Sequence, residues 1–405
     1  MKKIFFLILF FAYTLQFVYP QTKPYVLLIS FDGFRWDYPS TYNTPNINFL
    51  KDSGASAVSL QPCFPSKTFP NHYSIITGMY AENHGIIANA FVNPVTGEQY
   101  RLGDTISVRD PKWYTGEAFW ETAKKNGIIT ASMFWPGSEV NDENRRPDYF
   151  KYYDHNYPYK DRIGQIMKWL ELPYPQRPYF ICSYFDATDH AGHTFGPSSP
   201  ETEKAVMSLD SILGTILNRL NQSELKDSIN ILLVSDHGMT EVSKTRIVNI
   251  EQILKDEKCR YSDAGPVMMI FPKEGETERI YRILKQYEKN FKVYLKKDIP
   301  GWYHYSDNSL IAPVLVIADI GWSVVSNNSA DWFSGDSYRG NHGFSNYEMD
   351  MHGIFFAYGP LIKKGLRTGT LRNIDIYPLL CKIYNIEPNH KTDGQFEKIG
   401  FILKE

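Results

Sequence analysis

Apolar strand-like runs recur along the chain at residues 25–31, 128–134, 179–185, 229–235, 314–318 and 353–357. A run such as Tyr25-Val26-Leu27-Leu28-Ile29 has no polar side to turn to water, so it suits a strand covered on both faces; a buried helix of that length would share the pattern. The stretches between the runs leave room for helical crossovers at 113–126, 161–170, 201–221 and 374–384. Strand, crossover, strand is the rhythm of an α/β sheet with mostly parallel strands. From roughly 260 to 340 the regularity weakens, with a helix-like segment at 276–290 among several Pro, Gly and Trp breaks. That stretch predicts an insertion packed on the core, not an independent domain, and no internal repeat or low-complexity linker divides the chain.

The first apolar run is of another kind. Met1-Lys2-Lys3 precedes an apolar stretch from Ile4 to Ala12 that continues less purely to Val18, ahead of Pro20-Gln21. A short cationic region and an apolar region too short for a membrane span read as a signal peptide over residues 1–20, with an uncleaved anchor as the alternative. Residues 21–405 then form one catalytic domain, exported to a periplasmic or extracellular space and not stably held by a membrane once the signal is removed. Composition agrees with a folded domain: 43% of the 405 residues are hydrophobic. The formal net charge of -2 gives no footprint for a nucleic-acid polymer. A small phosphate ester needs only local positive charge, which bound divalent ions supply. Cys63, Cys182, Cys259 and Cys381 are spaced too widely for a zinc knuckle and leave three disulfide pairings open; Asn221-Gln222-Ser223 and Asn327-Asn328-Ser329 match the glycosylation sequon.

Candidate chemistry gathers after the runs. Asp32 follows the first, Asp189 the third and Asp236 the fourth, at the carboxyl ends where open α/β sheets bind ligands. Each aspartate alone would equally cap a following helix. They lie in Phe31-Asp32-Gly33, Asp189-His190-Ala191-Gly192-His193 and Ser235-Asp236-His237-Gly238, and Gly340-Asn341-His342-Gly343 adds a further histidine. Together these strings can build a two-metal site. Asp189 and His193 are four apart, so one helical turn presents both to a single zinc, while His190 cannot share that face. Asp236 and His237 are adjacent and converge on a metal at a strand-to-loop break, which Gly238 permits. His342 would complete an Asp/His/His set with Asp189 and His193; His352, which also precedes a glycine, is its rival.

Lys67-Thr68-Phe69-Pro70-Asn71-His72 places a hydroxyl where a loop feeds a helix, with Thr77-Gly78 nine positions after Thr68. A threonine there is an N-cap or, with a metal lowering its pKa, a nucleophile whose helix N-terminus offers N–H groups to an anionic oxygen. Metal-assisted attack on a phosphorus or sulfur ester is the chemistry this set implies. Cys63-Phe64-Pro65-Ser66-Lys67 looks like the sulfatase signature, but measured back from Thr77-Gly78 the nucleophile's place falls at or beside Thr68, so Cys63 stands too early.

With these residues assembled, the chain resembles the nucleotide pyrophosphatase/phosphodiesterase family of the alkaline phosphatase superfamily in its single-domain form. Phe31-Asp32-Gly33-Phe34-Arg35, Lys67-Thr68-Phe69-Pro70-Asn71-His72-Tyr73, Glu82-Asn83-His84-Gly85-Ile86, Phe134-Trp135-Pro136-Gly137-Ser138 and Ser235-Asp236-His237-Gly238-Met239 occur in family order. The resemblance implies an α/β, alkaline-phosphatase-like core: a mostly parallel central sheet flanked by helices, plus inserted loops. It implies two Zn²⁺ per subunit, one on Asp189, His193 and His342, the other on Asp32, Asp236 and His237 with Thr68 as nucleophile and ligand. Asn89 matches the family asparagine that donates to a phosphate oxygen. Phe69 and Tyr153 match aromatics that would sandwich a nucleobase, with Tyr184 and Trp135 lining the same pocket. At Gly343-Phe344-Ser345 the chain departs from the family's more usual Tyr-Asp after His-Gly.

The leading expectation is a secreted zinc enzyme that cleaves nucleotide phosphodiester or pyrophosphate bonds to nucleoside 5′-monophosphates through a threonyl-phosphate. A choline-type lipid phosphodiesterase on the same metals would need an anionic aromatic cage. A non-catalytic exported binding protein would be expected to have lost a ligand or the nucleophile, and all seven residues are present. No arginine adjoins Thr68, which disfavours phosphomonoesters and sulfates.

Overall fold

The computed structural model describes residues 23–335 and 338–405, so the expected signal at 1–20 lies outside the described residues. Numbered along the chain, the strands that matter are β1 (Tyr25–Phe31), β2 (Ala55–Ala57), β3 (Thr130–Met133), β4 (Tyr149–Lys151), β5 (Phe180–Phe185) and β6 (Ile229–Val234), then β7 (Cys259–Ser262), β8 (Val267–Pro272), β9 (Phe291–Leu295), β10 (Val314–Ala318), β11 (Phe355–Tyr358) and β12 (Leu366–Thr368). Eight of them form a central sheet in the order β12-β2-β11-β6-β1-β5-β3-β4. All seven residues of β1 are buried, which is what a run of near-continuous apolar residues requires of an inner strand. It pairs in parallel with β5 on one side and β6 on the other. The sheet is parallel apart from β11, which runs antiparallel to both β6 and β2.

Helices of the crossovers cover the sheet: α1 (Thr68–Thr77), α2 (Phe119–Lys125), α3 (Tyr159–Leu170), α4 (Ala187–Phe195) and α5 (Pro200–Asn221); α6 (Thr277–Gln286) and α7 (Asn327–Phe333) pack instead on a second apolar cluster, and α8 (Ile376–Ile383) returns to the main core. The longest, α5, starts on a Ser199 side-chain cap with Pro200 in its first turn and Glu201 and Glu203 near the positive end of its dipole. It buries Val206, Leu209, Leu213, Ile216 and Leu220, one stripe at helical spacing. The helix expected over 113–126 is shorter, because Pro111–Trp113 forms a separate 3₁₀ turn. Gly116 follows it in a tight spot, where a Cβ would lie 2.9 Å from His84 Cβ.

The run at 314–318 is a strand, but not of the central sheet. It is the inner β10 of a separate antiparallel sheet, β7-β8-β10-β9, within the irregular stretch. Its continuous hydrophobicity has a different cause from that of β1. Leu315 and Ile317 face the main core, while Val314, Val316 and Ala318 face a second apolar cluster with Ile280 and Leu284 of α6. Two cores on opposite faces of an antiparallel strand produce the same uninterrupted run as a parallel one.

Candidate metal centre

Because β1 lies between β5 and β6, the segments leaving their carboxyl ends come together. Asp32 directly follows β1, Asp236 lies just past β6, and Asp189 sits in the first turn of α4, beyond β5. Gly33 makes the approach possible: its φ of +65° is left-handed, and a Cβ there would lie 2.8 Å from Asp189 Cα. His342 arrives on a short strand, Gly340–Asn341, which pairs with Thr240–Glu241 just beyond His237. There too the fit depends on a missing side chain, since a Cβ on Gly340 would fall 2.3 Å from Gly192 O.

Two triads result. In the first, Asp189 Oδ1 is 3.4 Å from both His193 Nε2 and His342 Nε2, and the two nitrogens are 3.1 Å apart. In the second, His237 Nε2 is 3.0 Å from Asp236 Oδ2 and 3.3 Å from Asp32 Oδ1. Thr68 Oγ1, the first residue of α1 with Lys67 as its N-cap, stands 3.2 Å from the same His237 Nε2. The His237 and His342 rings stack at 3.5 Å and join the triads into one centre. Asp32 Oδ1, Asp189 Oδ1 and Asp236 Oδ2 are buried with no hydrogen-bond donor. An anionic oxygen so placed is costly unless a cation meets it.

The histidines are oriented for such a cation. Nδ1 of His193 lies 2.8 Å from Gly340 O, that of His342 2.9 Å from Ser66 O, and that of His237 2.8 Å from Gly238 O. Each Nδ1 therefore carries the proton and leaves the Nε2 lone pair facing the centre, as metal-binding imidazoles require. One carboxylate is braced as well, since Tyr184 donates its hydroxyl to Asp32 Oδ2 at 2.5 Å; His72 Nδ1 is hydrogen-bonded to Thr68 O at 2.9 Å and lies 3.3 Å from Asp236 Oδ2. Sequence reasoning missed these carbonyls and His72, because a backbone acceptor carries no residue signal.

The local electrostatics show crowding of like charge. Burial, then the Asp236 and Asp189 carboxylates, push Asp32 well above the usual range. Burial also pushes on Asp189 and Asp236, yet the imidazoles beside them outweigh it and hold both low. Burial, reinforced by His237, holds His342 well below an ordinary histidine, so it is neutral. His237 and His193 are pulled down by burial but more strongly raised by Asp236 and Asp189 respectively.

A cavity of about 220 Å³ opens beside the centre, lined by Thr68, Phe69, Asn89, Trp135, Tyr153 and Tyr184 among others. Asn89 Oδ1 accepts the Phe69 N–H at 2.9 Å, so the amide is held by its oxygen and Nδ2 remains as its donor. The helix N-terminal N–H expected to face an anion at Phe69 is thus given to Asn89 instead. Tyr153 is 43% exposed and meets Phe134 edge-on at 5.4 Å. Tyr184 and Trp135 have their polar atoms engaged, the latter donating to His72 O at 3.0 Å, so each offers a ligand only ring surface. His352 is hydrogen-bonded to Ser59 and Asn346 and stands in neither triad, nor does His190. Cys63 is buried on Asn373, with its thiol pushed up to about 12 by burial.

The family described as type I phosphodiesterase / nucleotide pyrophosphatase matches residues 26–345. Human ectonucleotide pyrophosphatase/phosphodiesterase family member 5 is 35% identical over 362 residues, 89% of this chain and 74% of that protein. The mouse bis(5′-adenosyl)-triphosphatase enpp4 is 36% identical over 388 residues, 95% of this chain and 82% of its own length. Among solved structures, murine ectonucleotide pyrophosphatase/phosphodiesterase 5, in an inactive threonine-to-alanine form with AMP, superposes with a TM-score of 0.88 at 32% identity over 94% of this chain and 100% of its own.

Proposed function

The chain belongs to the type I phosphodiesterase/nucleotide pyrophosphatase family of hydrolases, with the alkaline-phosphatase-like fold, and from that premise we propose that it uses two zinc ions and Thr68 to convert nucleotide diesters and pyrophosphates to nucleoside 5′-monophosphates. The observation that carries the reading is two ligand triads meeting beside one hydroxyl. Nitrogen and carboxylate donors in threes, each set leaving a position open, suit catalytic zinc. Charge closes as well: three carboxylates and a threonine alkoxide carry four negative charges, which two divalent ions cancel. The ions would supply Lewis acidity, lowering the pKa of the Thr68 hydroxyl and neutralising the ester.

The chain's own residues supply the rest. Thr68 attacks phosphorus in line and becomes esterified, the leaving oxygen departs on the far side, and hydrolysis of the threonyl ester restores the hydroxyl. Asn89 Nδ2 donates to a non-bridging oxygen, held in place by the Phe69 N–H. Phe69 and Tyr153 bracket the nucleobase in the cavity. The relative crystallised with AMP is inactive as a threonine-to-alanine form, which supports a threonine nucleophile here. Residues 1–20 act as the export signal in this reading, in keeping with relatives named ectonucleotide enzymes. A choline cage finds less support: outside the metal groups the acidic residue lining the cavity is Glu139, ion-paired with Arg109 at 3.1 Å.

Zinc-loaded protein is expected to give AMP and pyrophosphate from ATP, and AMP and ADP from diadenosine triphosphate. Release of orthophosphate from ATP as the first product would overturn the reading.

A further inference from the structure

Tyr153 is steadied at its root and at its edge: its backbone N–H donates to Glu139 Oε2 at 3.4 Å, and Phe134 meets the ring edge-on. Neither contact touches the hydroxyl. Among the described residues the hydroxyl's one hydrogen-bond partner is His155, whose Nδ1 lies 3.4 Å from Tyr153 Oη. The same Nδ1 lies 3.3 Å from Asp186 Oδ2. A carboxylate only accepts, so the nitrogen facing it carries the proton, and two acceptors at nearly equal, long distances from one N–H share it in a three-centre bond.

Asp186 anchors that bond. It stands at the N-cap position of α4, the helix of Asp189 and His193, yet its carboxylate caps no helix N–H. It is turned instead to α3, where Tyr159 donates to Oδ1 at 2.9 Å and Arg162 Nη1 lies 3.4 Å from the same oxygen. Arg162 is fully buried, a costly place for a guanidinium. It also donates to Tyr184 O at 2.9 Å and to Tyr157 O at 3.1 Å, and its guanidinium carbon lies 4.9 Å from the centre of the Phe134 ring. The 153–157 segment is thus fastened at its far end by Arg162 and at its near end through Asp186 and His155. His155 itself is 63% exposed, so it contributes this hydrogen bond and little packing.

We infer that His155 is a positioning residue for the nucleobase: by sharing Nδ1–H between Asp186 and Tyr153 it pins the tip of the Tyr153 ring to the start of the helix that carries Asp189 and His193. The base bracket and the metal centre then keep one spacing. This rests on the reading of Phe69 and Tyr153 as that bracket. It predicts a loss confined to substrates that carry a base.

The test uses zinc-loaded protein and two diesters with one leaving group, the p-nitrophenyl ester of AMP and methyl p-nitrophenyl phosphate, which has no base. His155→Ala is expected to lower kcat/KM about fivefold on the AMP ester, through KM, and less than twofold on the methyl ester. Tyr153→Phe keeps the ring without the hydroxyl and should match that loss, and the double variant should lose no more than His155→Ala alone. Equal losses on both esters would make His155 structural, additive losses in the double variant would separate it from Tyr153, and an unchanged AMP ester would leave it no role. Each of these overturns the proposal and leaves the phosphodiesterase reading standing. A wild type equally fast on both esters overturns the base bracket and the proposal with it, and one that cleaves neither overturns the phosphodiesterase reading itself.

Discussion

Each metal-facing histidine keeps Nδ1 on a backbone carbonyl and Nε2 for the centre, so the ligand set is aimed before any ion arrives. Removing the nucleophile should therefore separate binding from chemistry. Thr68→Ala is expected to retain both metals by elemental analysis while turnover falls by about 10³-fold or more; full turnover would exclude Thr68. Asn89→Ala should lower kcat by about 10²–10³, as loss of an oxyanion donor does. His72, wedged between Asp236 and Thr68 O, has no claim on substrate. His72→Ala is expected to weaken zinc affinity about 10–100-fold in a chelator competition, and unchanged affinity would reduce it to packing. At this scale the four-residue step from Asp189 to His193 was legible, since helix geometry alone puts both on one face. The carbonyls that aim His193 and His342 were not, because Gly340 O and Ser66 O respectively are recruited from distant chain.

Elements bring these residues together through close backbone approach and one buried pair. Lys67, the N-cap of the nucleophile helix, meets Asp263 at 2.6 Å, and their side chains are 8% and 10% exposed. Asp263→Ala would leave that ammonium buried and alone, a loss of about 3–5 kcal/mol in denaturant unfolding. Replacing both partners with apolar residues should recover most of it, and no recovery would mean that the pair does more than satisfy itself. Most strands and crossover helices could be read from the chain, because burial on both faces erases alternation. Strand β10 shows where that reading stops: the pattern reports that both faces are covered, not by what, nor in which sheet.

Across the whole molecule, the described residues include four cysteines as free thiols and no helix long and apolar enough to cross a membrane. Stability is expected to depend on acid in a particular window. His84 is fully buried, with Nδ1 accepting from Ile86 N and Nε2 on Ser74 and Pro70, and burial holds its pKa at about 3. The unfolded chain takes up that proton near the ordinary histidine value and the fold does not. The contribution is thus complete above about pH 6.5 and is lost as pH falls from there toward 3. His84→Gln should flatten this limb of a stability–pH curve, and an unchanged slope would assign the limb elsewhere. The two-faced strand β10 has a consequence for engineering. Its alternate side chains belong to different cores, so a chimera that borrows the 260–340 stretch from a relative would transplant half an interior, and only exchanges that carry the facing partners along should yield soluble protein.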